Sequence, residues 1–286
     1  MLHRSLAKVN LYLRVGPRRA DGFHGLVSWF CSVGLFDELT LAPGRPGVME
    51  MTCDNDQVPC DSRNLVIKAA GLLAERCANP VGVQVHLTKR IPMGGGLGGG
   101  SSNAATALLG LNELWGRRID PRELMELAGK LGSDVPFFLH LPSAICRGRG
   151  ELITPVAAPA PKAILLFLPK IAMPTAAVYR RFDELALGSD LAQVERELPD
   201  VSLPTRELLG VLVNDLERAA FSISPELGEM RGRAEQLAGR PVRMSGSGST
   251  LFTLYDSAAE AQVAAGRIGK ALGVAGIACT LGEDRA

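Results

Sequence analysis

At 286 residues the chain is long enough for two compact domains, or one large one, with a sizeable core. A net charge of +1, from 31 basic and 30 acidic side chains, removes the electrostatic case for nucleic acid or an anionic membrane surface as partner. Six scattered cysteines without CxxC or Cys/His clustering indicate neither a zinc site nor a disulfide framework. No apolar run approaches transmembrane length, and Met1 to Arg4 lead into a strand rather than a secretory segment, so a cytoplasmic location is expected.

Residues 5–15 alternate, with Ala7, Val9, Leu11, Leu13 and Val15 on one face of a strand and Lys8, Asn10 and Tyr12 on the other. The ordinary reading of Lys8 and Asn10 is a solvated face, and a binding role is the alternative. Gly16 to His24 is turn chemistry that carries two arginines, Phe23 and His24, either a solvated hairpin end or a binding loop. Strands are expected over 26–33, 39–42 and 48–53 and a helix from about Asn64 to Ala78; Val81, Val83, Val85 and Leu87 mark a further strand. That strand leads into Lys89-Arg90-Ile91-Pro92.

There follows the most unusual stretch of the chain. Six of the seven residues from Gly94 to Gly100 are glycine, interrupted only by Leu97, and Ser101, Ser102 and Asn103 come next. Ala104, Ala107, Leu108, Leu111, Leu114 and Trp115 then recur at steps of three and four, the pattern of a helix with a buried face. Glycine is costly to order, so a glycine-rich loop that feeds a helix N-terminus points to main-chain amides and a helix dipole gathered around an anion, phosphate above all. The P-loop pattern fails, because Gly100 is followed by Ser101 and the loop has no lysine. A dinucleotide fingerprint fits Gly94-x-Gly96-x-x-Gly99 only through glycine density, and its acidic partner about twenty residues on is missing. A flexible turn is the remaining alternative, against which stands the patterned helix that follows.

Asp120-Pro121-Arg122-Glu123 opens another helix, with Gly132 as its stop. Asp134 comes next, and it reads either as a helix N-cap or as a carboxylate held ionised and aimed into a cleft. Beyond about residue 155 the character changes: an apolar strand at 163–168, a helix opened by Pro174 and Thr175, and helices near 190–198, 205–221 and 225–238. A second glycine loop, Ser245-Gly246-Ser247-Gly248, lies between two strands, Ser257 caps a last helix to about Leu272, and a strand spans about 274–281. Mixed strands and helices in two blocks give an α+β class, divided as 1–155 and 156–286.

Taken together, Pro92-x-x-x-Gly96 to Ser102 with Asn103-Ala104-Ala105, Ala7 to Leu11, Arg19 to His24, Gly132 to Phe137, Asn214 to Glu217 and Ser245 to Gly248 resemble the GHMP kinases. The resemblance implies an N-terminal ribosomal-protein-like domain with a left-handed β-α-β crossover, opposite to the usual hand, and a C-terminal ferredoxin-like domain. It implies ATP-dependent phosphorylation of an alcohol. The loop of Pro92, Met93, Gly94, Gly95, Gly96, Leu97, Gly98, Gly99, Gly100, Ser101 and Ser102 would hold the ATP phosphates, and Asn64 and Lys89, with Arg90, would lie near adenine. Lys8 and Asp134 would be the catalytic pair.

Asp21-Gly22-Phe23-His24 narrows the resemblance to the branch whose acceptor is a cytidine diphosphate ester. Asn10 would contact that substrate beside Lys8. His24 would hydrogen-bond cytosine, and Phe23 and Tyr179 would sandwich the ring, although a core role for Tyr179 is an equal reading. Phe23 stands where tyrosine is common in the family; its π face survives the change, a phenolic hydrogen bond does not. ATP and Mg²⁺ are the implied cofactors, the ion held by phosphate oxygens and water, with Ser102 as the candidate side-chain ligand. The implied partners are these small molecules, without nucleic acid or membrane. A kinase of another alcohol, such as homoserine or mevalonate, and a nucleotide-binding protein without catalysis are the rival readings.

Overall fold

The computed structural model describes residues 1–76, 82–116 and 119–285. The expected helix end at 77–78 and Val81 at the start of the next strand lie outside these residues. The alternating segment becomes β1 (Leu2–Arg18), paired antiparallel along its length with β2 (His24–Gly44). The two separate strands expected at 26–33 and 39–42 are one strand, bent by register shifts rather than broken. Its other edge is shared. The first half of β2 pairs with β5 (Ser143–Gly148), and the second half pairs with β4 (Gly82–Thr88). Outside β4, β3 (Met49–Cys53) runs parallel to it through the crossover helix α1 (Leu65–Ala74), and β6 (Leu152–Pro155) closes the opposite edge.

α2 (Gly99–Leu114) covers this sheet together with α1 and α3 (Pro121–Leu131). α2 is enclosed nearly all round: Ala104, Ala105, Ala107, Leu108 and Leu111 have no exposed surface, and Ser102, Asn103 and Thr106 are buried as well. Small side chains let α1 and β1 approach it from different sides. α3 starts as expected, the Asp120 carboxylate accepting from the Arg122 amide at 2.8 Å with Pro121 at the first helical position.

The second sheet is β7 (Ala163–Leu168), β8 (Arg243–Met244), β9 (Leu251–Tyr255) and β10 (Ala275–Thr280), antiparallel in the order β10-β7-β9-β8. This is the strand order of a ferredoxin-like β-α-β-β-α-β unit. Its first connection holds α4 (Thr175–Glu184), α5 (Leu191–Val194), α6 (Thr205–Val211), α7 (Glu217–Ile223) and α8 (Pro225–Ala238), and its second holds α9 (Ala258–Leu272). The single helix expected over 205–221 is two. Between α6 and α7, Asn214 turns its amide outward from the helical path, donating to Met244 O at 2.7 Å and Gly246 O at 2.8 Å and accepting from Leu216 N at 2.9 Å. Two tertiary hydrogen bonds and one local one outcompete one more helical turn.

The two sheets share a core. Ala7, Val9 and Leu11 on β1 pack with Ile164 and Leu166 on β7 and Phe252 and Leu254 on β9, while Leu13 and Val15 belong to the core of the second sheet. β1 therefore has protein on both faces, and Lys8 and Asn10, whose ordinary reading was a solvated face, are each only 4% exposed. Among the described residues no helix is long and apolar enough to cross a membrane.

Candidate active site

Between the sheets lies a cavity of about 1130 Å³ whose floor is the glycine loop. Gly94, Gly96 and Gly98 have φ of +69°, +76° and +69°, a left-handed conformation that side chains with a Cβ resist. Two of them also allow close approach. A Cβ on Gly96 would stand 2.2 Å from Ser245 O, and one on Gly98 would meet the Phe138 ring at 2.9 Å and Lys8 Cγ at 3.0 Å. Around Gly94 nothing lies within 4 Å, and at Gly100 only Leu65 Cδ1 does, at 4.0 Å. These positions face open space. Gly98 caps α2 without a side-chain hydrogen bond, so the first-turn amides and the positive end of the helix are left for an anion in the cavity.

The loop is tied to its surroundings by main chain and by one hydroxyl. The Lys8 amide donates to Leu97 O at 2.9 Å, which fixes the loop to β1 at the lysine itself. Ser245 Oγ donates to Gly96 O at 3.0 Å and accepts from the Asn10 amide at 3.2 Å, so the second glycine loop holds the first. Asn214 braces that second loop through Met244 and Gly246. The sequence motifs marked Ser245 to Gly248 and Asn214 to Glu217 without giving either a task.

Lys8 and Asp134, 126 positions apart in the chain, meet at 3.3 Å. The Lys8 ammonium also donates to Asn10 Oδ1 at 2.6 Å and lies 4.4 Å from the Phe30 ring centroid. Asn10 is oriented in turn, its amide donating to Ser28 Oγ at 2.9 Å while Ser28 donates to Tyr12 O at 2.6 Å. Of the two readings of Asp134, the helix N-cap is not realised. A short 3-10 helix does follow, at Pro136–Leu139, but its N-cap is Val135 and no side chain caps it. The Asp134 side chain, one third exposed, faces Lys8 at the cavity wall instead.

Phe23, His24 and Tyr179 all line the same cavity. The His24 and Tyr179 ring centroids are 5.1 Å apart, and Phe182 meets His24 edge-on at 5.8 Å. His24 Nε2 lies 2.7 Å from Asp183 Oδ1, so only Nδ1 and the main chain are left to read a base. Phe23 is half exposed and carries the Arg149 guanidinium 4.9 Å from its ring centroid. Burial first, and the Asp134 charge second, hold the Tyr179 phenol well above its usual pKa, so it enters the site as a neutral ring.

Four expected ligand residues are placed differently from a simple contact role. Asn64 is the N-cap of α1, accepting from Val66 N at 2.9 Å and donating to Pro59 O at 2.7 Å, so it borders the cavity with its polar atoms already engaged. Lys89 also borders the cavity, but its ammonium bonds to Asp37 Oδ2 and Ile91 O, each at 2.7 Å. Arg90 pairs with Glu38 at 3.0 Å on the surface. Ser102 is 1% exposed and stands behind the cavity wall, its hydroxyl without a hydrogen-bond partner among the described residues. An orphaned oxygen in the first turn of α2 suits a hard cation; no carboxylate cluster able to hold a metal occurs among the described residues.

Asp37 was invisible in the sequence. This fully buried carboxylate accepts from Lys89 Nζ, from the Arg90 and Ile91 amides at 2.7 and 2.8 Å, and from Asn103 Nδ2 at 2.9 Å. It binds β2, the entry to the glycine loop and α2 at one point. Asp183, which engages His24, was equally unmarked.

A glycine loop at a helix N-terminus, an amine and acid beside it, and a ferredoxin-like sheet closing the cavity define a small-molecule kinase of the GHMP class. Residues 64–140 match the GHMP kinases N terminal domain and residues 199–273 the GHMP kinases C terminal. The chain belongs to the GHMP kinases and, within them, to the family of 4-diphosphocytidyl-2-C-methyl-D-erythritol kinases. The enzyme of that name from Geobacillus sp. (strain WCH70) is 38% identical over 89% of this chain and 88% of its own. The crystal structure of a 4-(cytidine 5'-diphospho)-2C-methyl-D-erythritol kinase superposes with a TM-score of 0.81 at 38% identity, covering 99% of this chain and 100% of the other. The mevalonate kinase of L. major, solved in complex with R-mevalonate, shares the fold at a TM-score of 0.72 and 15% identity, over 100% of this chain and 97% of its own. GHMP kinases take their phosphoryl group from ATP.

Proposed function

We propose that the protein transfers the γ-phosphoryl group of ATP to the 2-hydroxyl of 4-diphosphocytidyl-2-C-methyl-D-erythritol, giving the 2-phosphate and ADP in the non-mevalonate route to isoprenoid precursors, in the cytoplasm. The observation that carries this reading is the Lys8–Asp134 pair, 3.3 Å apart on the wall of a cavity that has the glycine loop on one side and Phe23, His24 and Tyr179 on another. Residues 1–155 form the ATP-binding and catalytic domain and residues 156–286 the substrate domain. The substrate end draws on both, Phe23 and His24 from the first and Tyr179 from the second.

In this mechanism the acceptor oxygen attacks the γ-phosphorus, the bond to the β,γ-bridging oxygen breaks, and ADP leaves. Asp134 takes the proton of the hydroxyl as the new bond forms. Lys8, fixed by Asn10 and by the face of Phe30, stands against Asp134 and offsets negative charge between nucleophile and phosphoryl group. Proton acceptance by a side chain supplies about 10²- to 10⁴-fold, so most of the acceleration comes from the glycine-loop amides that place and neutralise the triphosphate. Ser102, whose hydroxyl has no partner among the described residues, would be the side-chain donor to a magnesium ion carried by the phosphate oxygens, and that ion would add charge neutralisation. Asn64 and Lys89 shape the adenine end by holding α1 and the loop entry in place, and Asn10 contacts the acceptor beside Lys8.

A coupled assay of ADP release tests the reading with the cytidine diphosphate ester, mevalonate and homoserine as acceptors. Turnover on the ester alone is expected. Preference for either of the others would reassign the acceptor, and background rates on all three would leave a nucleotide-binding protein without catalysis.

A further inference from the structure

Resting on the cytidine diphosphate ester as acceptor, we propose that Arg149 is a specificity residue that reads the acceptor's diphosphate, with Arg180 as a second contact. Arg149 stands at the tip of the hairpin between β5 and β6, where Gly148 and Gly150 have φ of +72° and +118°. The turn is held in place by the Arg149 amide, which donates to Glu151 Oε2 at 2.6 Å. The tip spans the two ends of the site. A Cβ on Gly150 would lie 3.7 Å from Asp134 Oδ1, and the Arg149 guanidinium lies 4.9 Å from the Phe23 ring centroid.

The cavity's other cations are committed elsewhere. Lys8 pairs with Asp134, Lys89 with Asp37, Arg63 with Asp61 at 2.7 Å, and Arg18 with Gly22 O at 3.2 Å and with Asp183 at 3.9 Å. Among the described residues the guanidiniums of Arg149 and Arg180 have neither a carboxylate nor a hydrogen-bond acceptor, although both line the cavity. Two exposed guanidiniums without a carboxylate partner leave the rim of the cavity with positive charge that an anionic ligand can match. The acceptor has such an anion in the right place, since its diphosphate links the base, at Phe23 and Tyr179, to the alcohol, at Asp134. A guanidinium lying over an aromatic ring keeps its N–H edge available for bidentate phosphate recognition, so stacking on Phe23 orients Arg149 without consuming its donors.

The test separates charge reading from support of the ring. Wild type, Arg149→Met and Arg149→Lys are compared for kcat, for KM of ATP and of the acceptor, and for competitive inhibition by cytidine, cytidine monophosphate and cytidine diphosphate at low and high salt. Arg149→Met is expected to raise acceptor KM and the inhibition constant of cytidine diphosphate by roughly 10- to 100-fold. Cytidine inhibition and ATP KM stay unchanged, and Arg149→Lys recovers part of the loss with a steeper salt dependence. Equal weakening of cytidine and cytidine diphosphate would overturn the proposal by reducing Arg149 to a prop for Phe23, and so would unchanged constants throughout. Thermal melting of each variant guards against misfolding, to which an exposed hairpin tip is little prone. Failure of the wild type to turn over the ester would count against the acceptor assignment instead, and is seen without any variant.

Discussion

Asp37 and Lys89 form an ion pair at 2.7 Å whose side chains are 0% and 7% exposed, directly beneath the entry to the glycine loop. Removing one member of such a pair leaves the other buried and uncompensated, at a cost of about 3–5 kcal/mol. Asp37→Asn adds a second fault, because an amide NH₂ would then face donors that the carboxylate now accepts from, the Arg90 and Ile91 amides among them. A fall of that size in urea-unfolding free energy is expected, with a raised KM for ATP in whatever fraction stays folded. A change below about 1 kcal/mol would mean that water or a shifted lysine replaces the bond, and that Asp37 does not organise the loop.

The same residue marks the boundary of what the sequence displays. An acid amid apolar strand residues has the pattern of a solvated face, and nothing local shows that Lys89, Arg90, Ile91 and Asn103 converge on it. Glycine density, by contrast, is a local signal, because Gly94, Gly96 and Gly98 need positive φ whatever packs around them. Capping signals at Asp120 and Ser257 were equally local and are realised. Periodicity failed at 212–216, where Leu212 and Leu216 keep helical spacing while Asn214 is drawn away by Met244 and Gly246, partners thirty residues on. β5 and β6 went unseen because they are short and carry little alternation. The approach of Lys8 to Asp134 is a long-range fact, legible only through several motifs taken together.

Replacing Asp134 with asparagine keeps the shape of the cavity wall and removes the proposed proton acceptor. The expected result is a kcat lower by roughly 10²- to 10⁴-fold with the Kd for ATP preserved, measured by steady-state kinetics and by nucleotide titration. Near-normal kcat would show that the hydroxyl loses its proton elsewhere. A weakened Kd for ATP would show that the carboxylate orders the glycine loop through Lys8, whose amide bonds to Leu97 O.

Two glycines of the same loop predict opposite effects on folding. Gly100 lies in the first turn of α2 with ordinary helical backbone and only Leu65 Cδ1 near its missing Cβ, so Gly100→Ala is expected to stabilise the fold by up to about 1 kcal/mol. The added methyl group occupies space that the bound triphosphate would fill, so KM for ATP rises while acceptor binding holds. Gly96→Ala meets Ser245 O at 2.2 Å and a φ of +76°, and should lower Tm as it forces the two glycine loops apart. Unchanged ATP affinity in a stabilised Gly100→Ala would move the triphosphate away from the N-terminus of α2.

Glu217, half-buried at the start of α7, accepts from the Met244 amide at 2.8 Å, one residue before Ser245 grips the first glycine loop. Burial pushes its pKa up from 4.5, against the opposing pull of that hydrogen bond and of Arg243 and Arg231, with Glu235 adding to the rise. A carboxyl group that holds its proton more tightly when folded contributes stability that is complete below its unfolded pKa and is lost as pH rises through the folded value. Glu217→Gln keeps an acceptor for Met244 and removes the titration. Chemical denaturation from pH 4 to 7 should therefore show wild type losing ground to Glu217→Gln above about pH 4.5, with a slope of at most about 1.4 kcal/mol per pH unit. A difference between the two that is flat with pH, or that runs the other way, would show that Arg243 and Arg231 outweigh desolvation and hold Glu217 ionised in the folded protein.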